Sequence, residues 1–197
     1  MTEIPVLAIC YFAILNCVPS LSGLASLTQP VAYCLLPIAY RRSQMLSPDE
    51  LWMERALAEA RTAQDAGEVP VGSVIVRNGE LIAAGQNRNL RDHDPSAHAE
   101  VVALRAAGNI VGNHRLEGCE MYVIVEPCAM CAGALVHARL KRLIYGAKDP
   151  KAGAVDSIMN VVNHPRLNHR MEVVSGVLED QCSLVLRDFF RARRMGS

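Results

Sequence analysis

Two short segments, His98-Ala99-Glu100 and Pro127-Cys128-Ala129-Met130-Cys131, constrain this chain more than anything else in it, because they supply the donors of one metal site from distant places. One imidazole and two thiols are ligands that zinc takes, and a structural zinc site would need a fourth. No second Cys-x-x-Cys or histidine pair is present to close such a site. His98, Cys128 and Cys131 therefore read as the ligands of a catalytic zinc, one per chain, with the fourth position left to water. Any fold has to bring the two segments together.

The spacing has a physical reason at each end. Cys128 and Cys131 are three residues apart, so on a helical turn both thiols face one point. Pro127 suits the first position of that helix, where its missing N–H is not needed. The unpaired N–H groups and dipole of a helix start favour the thiolate, the form that binds metal. His98 and Glu100 are separated by one residue, so the carboxylate can reach a metal-bound water while the imidazole holds the metal. Zinc brings the pKa of such a water to about 7, and a neighbouring carboxylate can relay its proton to a leaving group. Glu100 is thus the candidate catalytic residue. A lone Cys-x-x-Cys could equally be a redox pair or half of a zinc ribbon. The upstream His-x-Glu favours the catalytic reading.

These segments carry a resemblance to the zinc-dependent cytidine and nucleobase deaminases, whose signature they match. Within that superfamily the chain resembles the bacterial tRNA-specific adenosine deaminases from about Asp49 to Arg194. The narrower likeness rests on Val69-Pro70-Val71-Gly72, Gly85-Gln86-Asn87-Arg88, His93-Asp94-Pro95-Ser96 leading into the His-Ala-Glu segment, and Glu126 with Ala132-Gly133-Ala134 around the cysteines. Asn163-His164-Pro165, Asn168-His169 and Asp188-Phe189-Phe190-Arg191 extend it. The resemblance implies a cytidine-deaminase-like α/β fold with a central mixed sheet of about five strands. It also implies Glu100 as general acid and base, Asn87 hydrogen-bonded to a flipped base, and Ala99 as a substrate-binding position. The implied reaction converts the wobble adenosine, position 34, of an arginine tRNA anticodon to inosine. The implied partners are the anticodon stem-loop and a second copy of the chain in a homodimer. Ile124 departs from the pattern, since a threonine is usual there, and a hydroxyl near the pocket is expected to be missing.

A span of about 150 residues suits one domain with its own core, and residues 45–197 fit that description. The first 44 residues differ: Glu3, Arg41 and Arg42 are their only charges, and the apolar run over 4–18 is interrupted by Pro5 and Asn16 and followed by Pro19. A secretory signal needs basic residues ahead of its apolar stretch, and here Glu3 stands there instead. A membrane span needs roughly 20 apolar residues, and proline stops this run sooner. An organellar transit peptide should be rich in arginine and serine. The favoured expectation is an initiation codon assigned too early, with Met45 the true start and residues 1–44 an untranslated or disordered apolar leader.

Seven cysteines do not suggest a disulfide framework. Cys10, Cys17 and Cys34 lie in the leader, Cys128 and Cys131 are spent on metal, and Cys119 and Cys182 are expected as reduced core residues. Thiols kept for zinc point to a reducing cytoplasm, with no membrane partner for the domain.

The elements place the motifs. Ser47-Pro48-Asp49-Glu50 starts a helix whose apolar face (Leu51, Met53, Ala56, Leu57, Ala60) runs to about Ala66. Residues 69–76 and 80–86 flank Asn78-Gly79, a hairpin signal. A helix beginning near Ala97 carries His98 and Glu100, with Val101, Val102 and Leu104 as its core. A buried strand over 121–125 leads into Pro127 and a helix to about His137. Strands over 140–146 and 171–175 and a closing helix over 178–194 complete the pattern. Alternating helices and strands around a buried sheet predict three α/β/α layers, with the metal donors at helix starts beyond strand ends.

Charge gives no global nucleic-acid signature: residues 45–197 hold 18 basic and 19 acidic side chains, a net of −1. Recognition of RNA then falls to a local patch. Arg187, Arg191, Arg193 and Arg194 beside Phe189 and Phe190 are the candidate, since arginines and aromatics suit an unstacked loop. The same arginines would also be favoured by a helix C-terminus, and the phenylalanines by a core. His93, His114, His137, His164 and His169 stay outside the catalytic set. Two other functions compete: a free nucleobase or nucleoside deaminase (guanine, cytosine or cytidine) with the same zinc site, and a zinc-stabilised binding module. Glu100 argues against the second.

Overall fold

The first helix starts where the sequence supplies a complete N-terminal cap. In the computed structural model, which describes residues 46–195, the Ser47 hydroxyl accepts the Glu50 N–H at 3.3 Å and the Glu50 carboxylate accepts the Ser47 N–H at 2.7 Å. Pro48 follows at the first helical position of α1, Pro48–Asp65. Met53, Ala56, Leu57, Ala60 and Ala63 form its buried face, while Leu51 lies outward at the first turn. The expectations for residues 1–44 lie outside the described residues.

Strands β1, Gly72–Arg77, and β2, Glu80–Gln86, form the hairpin. Asn78 and Gly79 both take positive φ, 53° and 77°. That is the conformation a two-residue turn needs to match the strand twist. Next come a short helix α2, Asn89–Asp92, the helix α3, Ala99–Val111, and the strand β3, Cys119–Val125. The helix α4, Ala129–Ala138, leads to β4, Arg142–Ala147, then β5, Glu172–Ser175, and α5, Glu179–Met195. The five strands lie in the order β2-β1-β3-β4-β5. β1 is antiparallel to both neighbours, and β3, β4 and β5 are parallel, so the sheet is mixed.

Register decides which helix covers which face. Ser73 pairs with Gly85 and Val123, and Val123 with Tyr145, so these four share one face while Gly72 and Gly146 point to the other. A Cβ on Gly85 would meet the Ala99 carbonyl of α3 at 2.3 Å. On the opposite face, a Cβ on Gly72 would meet the Ala56 carbonyl of α1 at 2.2 Å, and one on Gly146 the Cys182 sulfur of α5 at 2.4 Å. α4 packs beside α3. The expected three layers follow, with α3 and α4 on one side and α1 and α5 on the other. Cys119 and Cys182 are buried free thiols, as expected.

Three local expectations are corrected, and one helix is added. The fully buried residues of α3 are Ala99, Glu100, Ala103 and Ala107, whereas Val101 and Val102 are only half-buried and Leu104, also half-buried, packs against the core. Close approach over Gly85 requires small side chains on that side. His98 and Cys128 stand just before their helices in extended conformation rather than within them (φ −70°, ψ 152° and φ −72°, ψ 173°). Pro127 thus precedes the helix, with its carbonyl accepting the Ala154 N–H at 2.9 Å. The helix α2 went unread because its stabilising partner is remote: Glu68, 2 % exposed, accepts the N–H groups of Leu90 and Arg91 at its start. Among the described residues no helix is long and apolar enough to cross a membrane.

Candidate active site

β2 and β3 run parallel with β1 between them, so both end at the same edge of the sheet. Beyond β2 the chain presents Asn87 and, after α2, His98 at the cap of α3. Beyond β3 it presents Glu126 and Cys128 at the cap of α4. The site is thereby assembled from two helix starts facing each other.

His98 Nδ1 lies 3.8 Å from the Cys128 sulfur and 3.5 Å from that of Cys131. The three donor atoms all lie within 4.8 Å of one another, the only such His/Cys/Asp/Glu trio among the described residues. Zinc–sulfur and zinc–nitrogen bonds of ordinary length at a tetrahedral angle separate such donors by about 3.6 Å. The donor set and its spacing therefore fit zinc. Hydrogen bonds from Cys131 and then His98 hold the Cys128 thiol down to about 3. Cys131 is driven the other way, chiefly by Cys128 and then by burial. His98, half-buried, is raised above its ordinary value chiefly by its bond to Cys128.

Glu100 is the first-turn acid of α3 and is buried. Burial raises its carboxyl above the usual range, opposed by its own backbone N–H and by His98. It lines a cavity of about 260 Å³ together with Asn87, His98, Cys128 and the apolar Val69, Val71 and Val125. Pockets for drug-sized ligands run from roughly 300 to 1,000 Å³, so this one suits a single base. Asn87 is 7 % exposed, and its Oδ1 accepts the Ala99 N–H at 2.9 Å. That bond fixes the side-chain amide and leaves its NH₂ for a ligand. Ala99 is fully buried, outside the cavity lining, and acts on the pocket through this N–H.

Ile124 is fully buried, on the face of the sheet opposite α3 and α4, and it is the adjacent Val125 that lines the cavity. Glu126, marked in the sequence only as part of the resemblance, lines it too, as do Asn89, Asp149 and Ala152, which were not singled out. Glu126 had one signal, an acid directly before Pro-Cys; Asp149 and Ala152 had none. Glu126 is 2 % exposed. Although burial works against ionisation, the Ser157 hydroxyl and the N–H groups of Asp156, Ser157 and Asp149 hold it down to about 2.

The C-terminal cluster lies next to this cavity. Arg187, Phe190, Arg191 and Arg194 line a second, more open concavity of about 610 Å³ with Lys151, and Asp149 borders both. Phe189 meets Phe190 edge to face at 5.4 Å and carries Arg193 over its ring at 5.3 Å, while Phe190 is 44 % exposed. Arg191 is partly engaged by Asp188 at 3.0 Å. The Asn163–His169 stretch holds a loop: Asn163 accepts the Met171 N–H, the His164 ring accepts the Arg166 N–H, and His169 bonds the Leu140 carbonyl.

Comparison with known proteins matches residues 48–194 to the MafB19-like deaminase family model. The tRNA-specific adenosine deaminase of Bacillus subtilis is 46% identical over 149 residues, covering 76% of this chain and 92% of that protein. A solved structure from work on A-to-I editing by tRNA:A34 deaminases at the wobble position is 44% identical with a TM-score of 0.67. It covers 68% of this chain and 98% of its own. The structure of a guanine deaminase from Nitrosomonas europaea is 25% identical with a TM-score of 0.65, covering 78% and 93%.

Proposed function

The chain belongs to the tRNA-specific adenosine deaminase family, and from that premise we propose that it hydrolyses the wobble adenosine, position 34, of an arginine tRNA anticodon to inosine. The observation that carries this reading is the convergence of Glu100, Asn87 and the His98–Cys128–Cys131 trio on one base-sized cavity. The trio would hold zinc, which when bound supplies an acidified water near neutral pH. Glu100, buried in the cavity beside the trio, is the group that would accept a proton from the attacking water and deliver protons to the purine ring and to the departing amine. The C6–N bond breaks, a C6–O bond forms, and ammonia leaves. Asn87 offers its NH₂ to the base, with its orientation fixed by Ala99. The valines exclude water from around it.

The anticodon loop would lie over the exposed Arg187, Phe190 and Arg194, beside the pocket mouth. A homodimer is part of the proposal, supported by the outward side of α3, where Val101 and Leu104 are half-buried and Ile110 is 66 % exposed. Met45–Ser197 is proposed as the working deaminase unit, in a reducing cytoplasm.

One observation favours a second reading, a free-base deaminase: the likeness to the guanine deaminase structure. The test is inosine formation in an arginine tRNA anticodon stem-loop by zinc-loaded protein, beside guanine, cytosine and cytidine. Inosine from the stem-loop is expected; ammonia from a free base alone would replace the tRNA reading.

A further inference from the structure

We propose that Glu126 is a positioning residue for deamination, a carboxylate that fixes one wall of the base pocket by filling a cradle of loop N–H groups; the inference rests on the deaminase reading above. Its side chain leaves the end of β3 and is buried. One oxygen accepts three consecutive N–H groups, from Val155, Asp156 and Ser157, at 3.1, 2.8 and 2.9 Å. The other accepts the Asp149 N–H at 3.1 Å and the Ser157 hydroxyl. Successive N–H groups turned to one point form an anion nest, and here the chain occupies it with its own carboxylate.

The loop so held is a wall of the active-site cavity, since Asp149 and Ala152 line it. Asp149 Oδ1 accepts the Ala152 N–H at 3.1 Å, so the Asp149 anchor also sets Ala152. The same loop pairs with the metal-ligand segment: Cys128 bridges to Gly153, and the Pro127 carbonyl accepts the Ala154 N–H. Glu126 therefore ties the distance between pocket wall and ligand turn from a position that needs no direct bond to substrate. Gly153 is part of the device. A Cβ there would fall 2.4 Å from the Glu126 carboxyl carbon and 2.6 Å from the Asp149 carbonyl oxygen, so only glycine leaves the carboxylate in place.

The test compares wild type, Glu126→Gln, Gly153→Ala and the double variant, all zinc-loaded and assayed well below their unfolding temperatures. Amide hydrogen exchange at residues 149–157 is read beside the kinetics of stem-loop deamination and zinc content. Each single variant should accelerate exchange at the Asp149, Val155, Asp156 and Ser157 amides by about tenfold or more. Each should keep one zinc per chain and raise KM by about tenfold, with kcat within about threefold. The double variant should be no worse than the worse single, because both remove one arrangement. Additive effects, an unchanged KM, or unchanged exchange at those amides would overturn the proposal. Should Glu126→Gln fail to fold, Ser157→Ala removes one donor and must give the same signature in milder form. A wild type that makes no inosine would refute the tRNA reading, and the exchange data would still decide whether the carboxylate holds the loop.

Discussion

Glu100 is proposed as the proton carrier on its place in the cavity beside His98 and Cys128, where burial raises its carboxyl against the pull of its own backbone N–H and of His98. Glu100→Gln should keep zinc near one per chain and lower turnover by about 10²- to 10⁴-fold, measured by metal analysis and inosine formation. Turnover within tenfold of wild type would remove the role. Asn87 offers a finer test, since Asn87→Asp keeps the oxygen that accepts the Ala99 N–H and loses the NH₂. KM should rise by about 10- to 100-fold with the helix start intact, and an unchanged KM would take Asn87 out of base recognition. Glu126 adds a pH signature. Its carboxyl is held at about 2 instead of an ordinary 4.5, so it stabilises the fold above pH 4.5, and that stabilisation fades as pH falls toward 2. Comparing wild type with Glu126→Gln at each pH by denaturant midpoint should show a gap that closes on acidification; a constant gap would contradict the shift. At this scale the gathering of His98, Cys128 and Cys131 was legible because metal chemistry restricts residue type and spacing. The place of Glu126 was not, although its motif helped carry the resemblance, because its partners are mostly backbone N–H groups of a loop that carries no side-chain pattern.

The elements matter to the site through their first residues. His98 and Cys128 are both extended caps, so each donor stands at a helix start, and the site depends on how closely α3 and α4 approach the sheet. Gly85 sets that approach for α3, and Gly85→Ala would drive a methyl to 2.3 Å from the Ala99 carbonyl and 2.6 Å from the Ala103 nitrogen. The expected result is a loss of about 1–3 kcal/mol of stability together with weaker zinc retention against a chelator, because the helix carrying His98 and Glu100 has to move. Wild-type zinc retention in that variant would show that α3 does not set the site. The hairpin was readable from Asn78-Gly79 alone, since few residues tolerate two successive positive φ values. Helix α3 was readable in extent and misread in orientation. Its valines and leucine promised the core, yet the buried positions beside Gly85 are alanines, Val101 and Val102 are only half-buried, and Leu104 packs against the core from its margin. Tertiary closeness overrode hydrophobicity. The short α2 had only the Arg88–Asp92 pair as a local signal, and its start is capped by Glu68 from 22 residues away.

For the molecule as a whole, a domain with near-zero net charge has no long-range attraction for a polyanion, so any affinity for RNA must come from where its cations stand. Arg187, Arg191 and Arg194 stand along one side of α5 with Phe190, at a concavity that shares Asp149 with the catalytic cavity. A base delivered to Glu100 would thus leave its flanking phosphates within the field of these arginines, and an exposed aromatic ring is available to a neighbouring base. Replacing the three arginines with alanine should weaken anticodon stem-loop binding at low salt and flatten the dependence of log affinity on log salt by about 2. Zinc content should not change, and neither should turnover of any small substrate the wild type accepts, because none of the three lines the catalytic cavity. Binding titrations at several salt concentrations check this. An unaltered slope would mean that α5 contacts no phosphate and that its arginines serve only their own helix end, where the dipole favours them in any protein. An equal fall in small-substrate turnover would mean instead that α5 supports the pocket wall, and that the two cavities meeting at Asp149 are mechanically one.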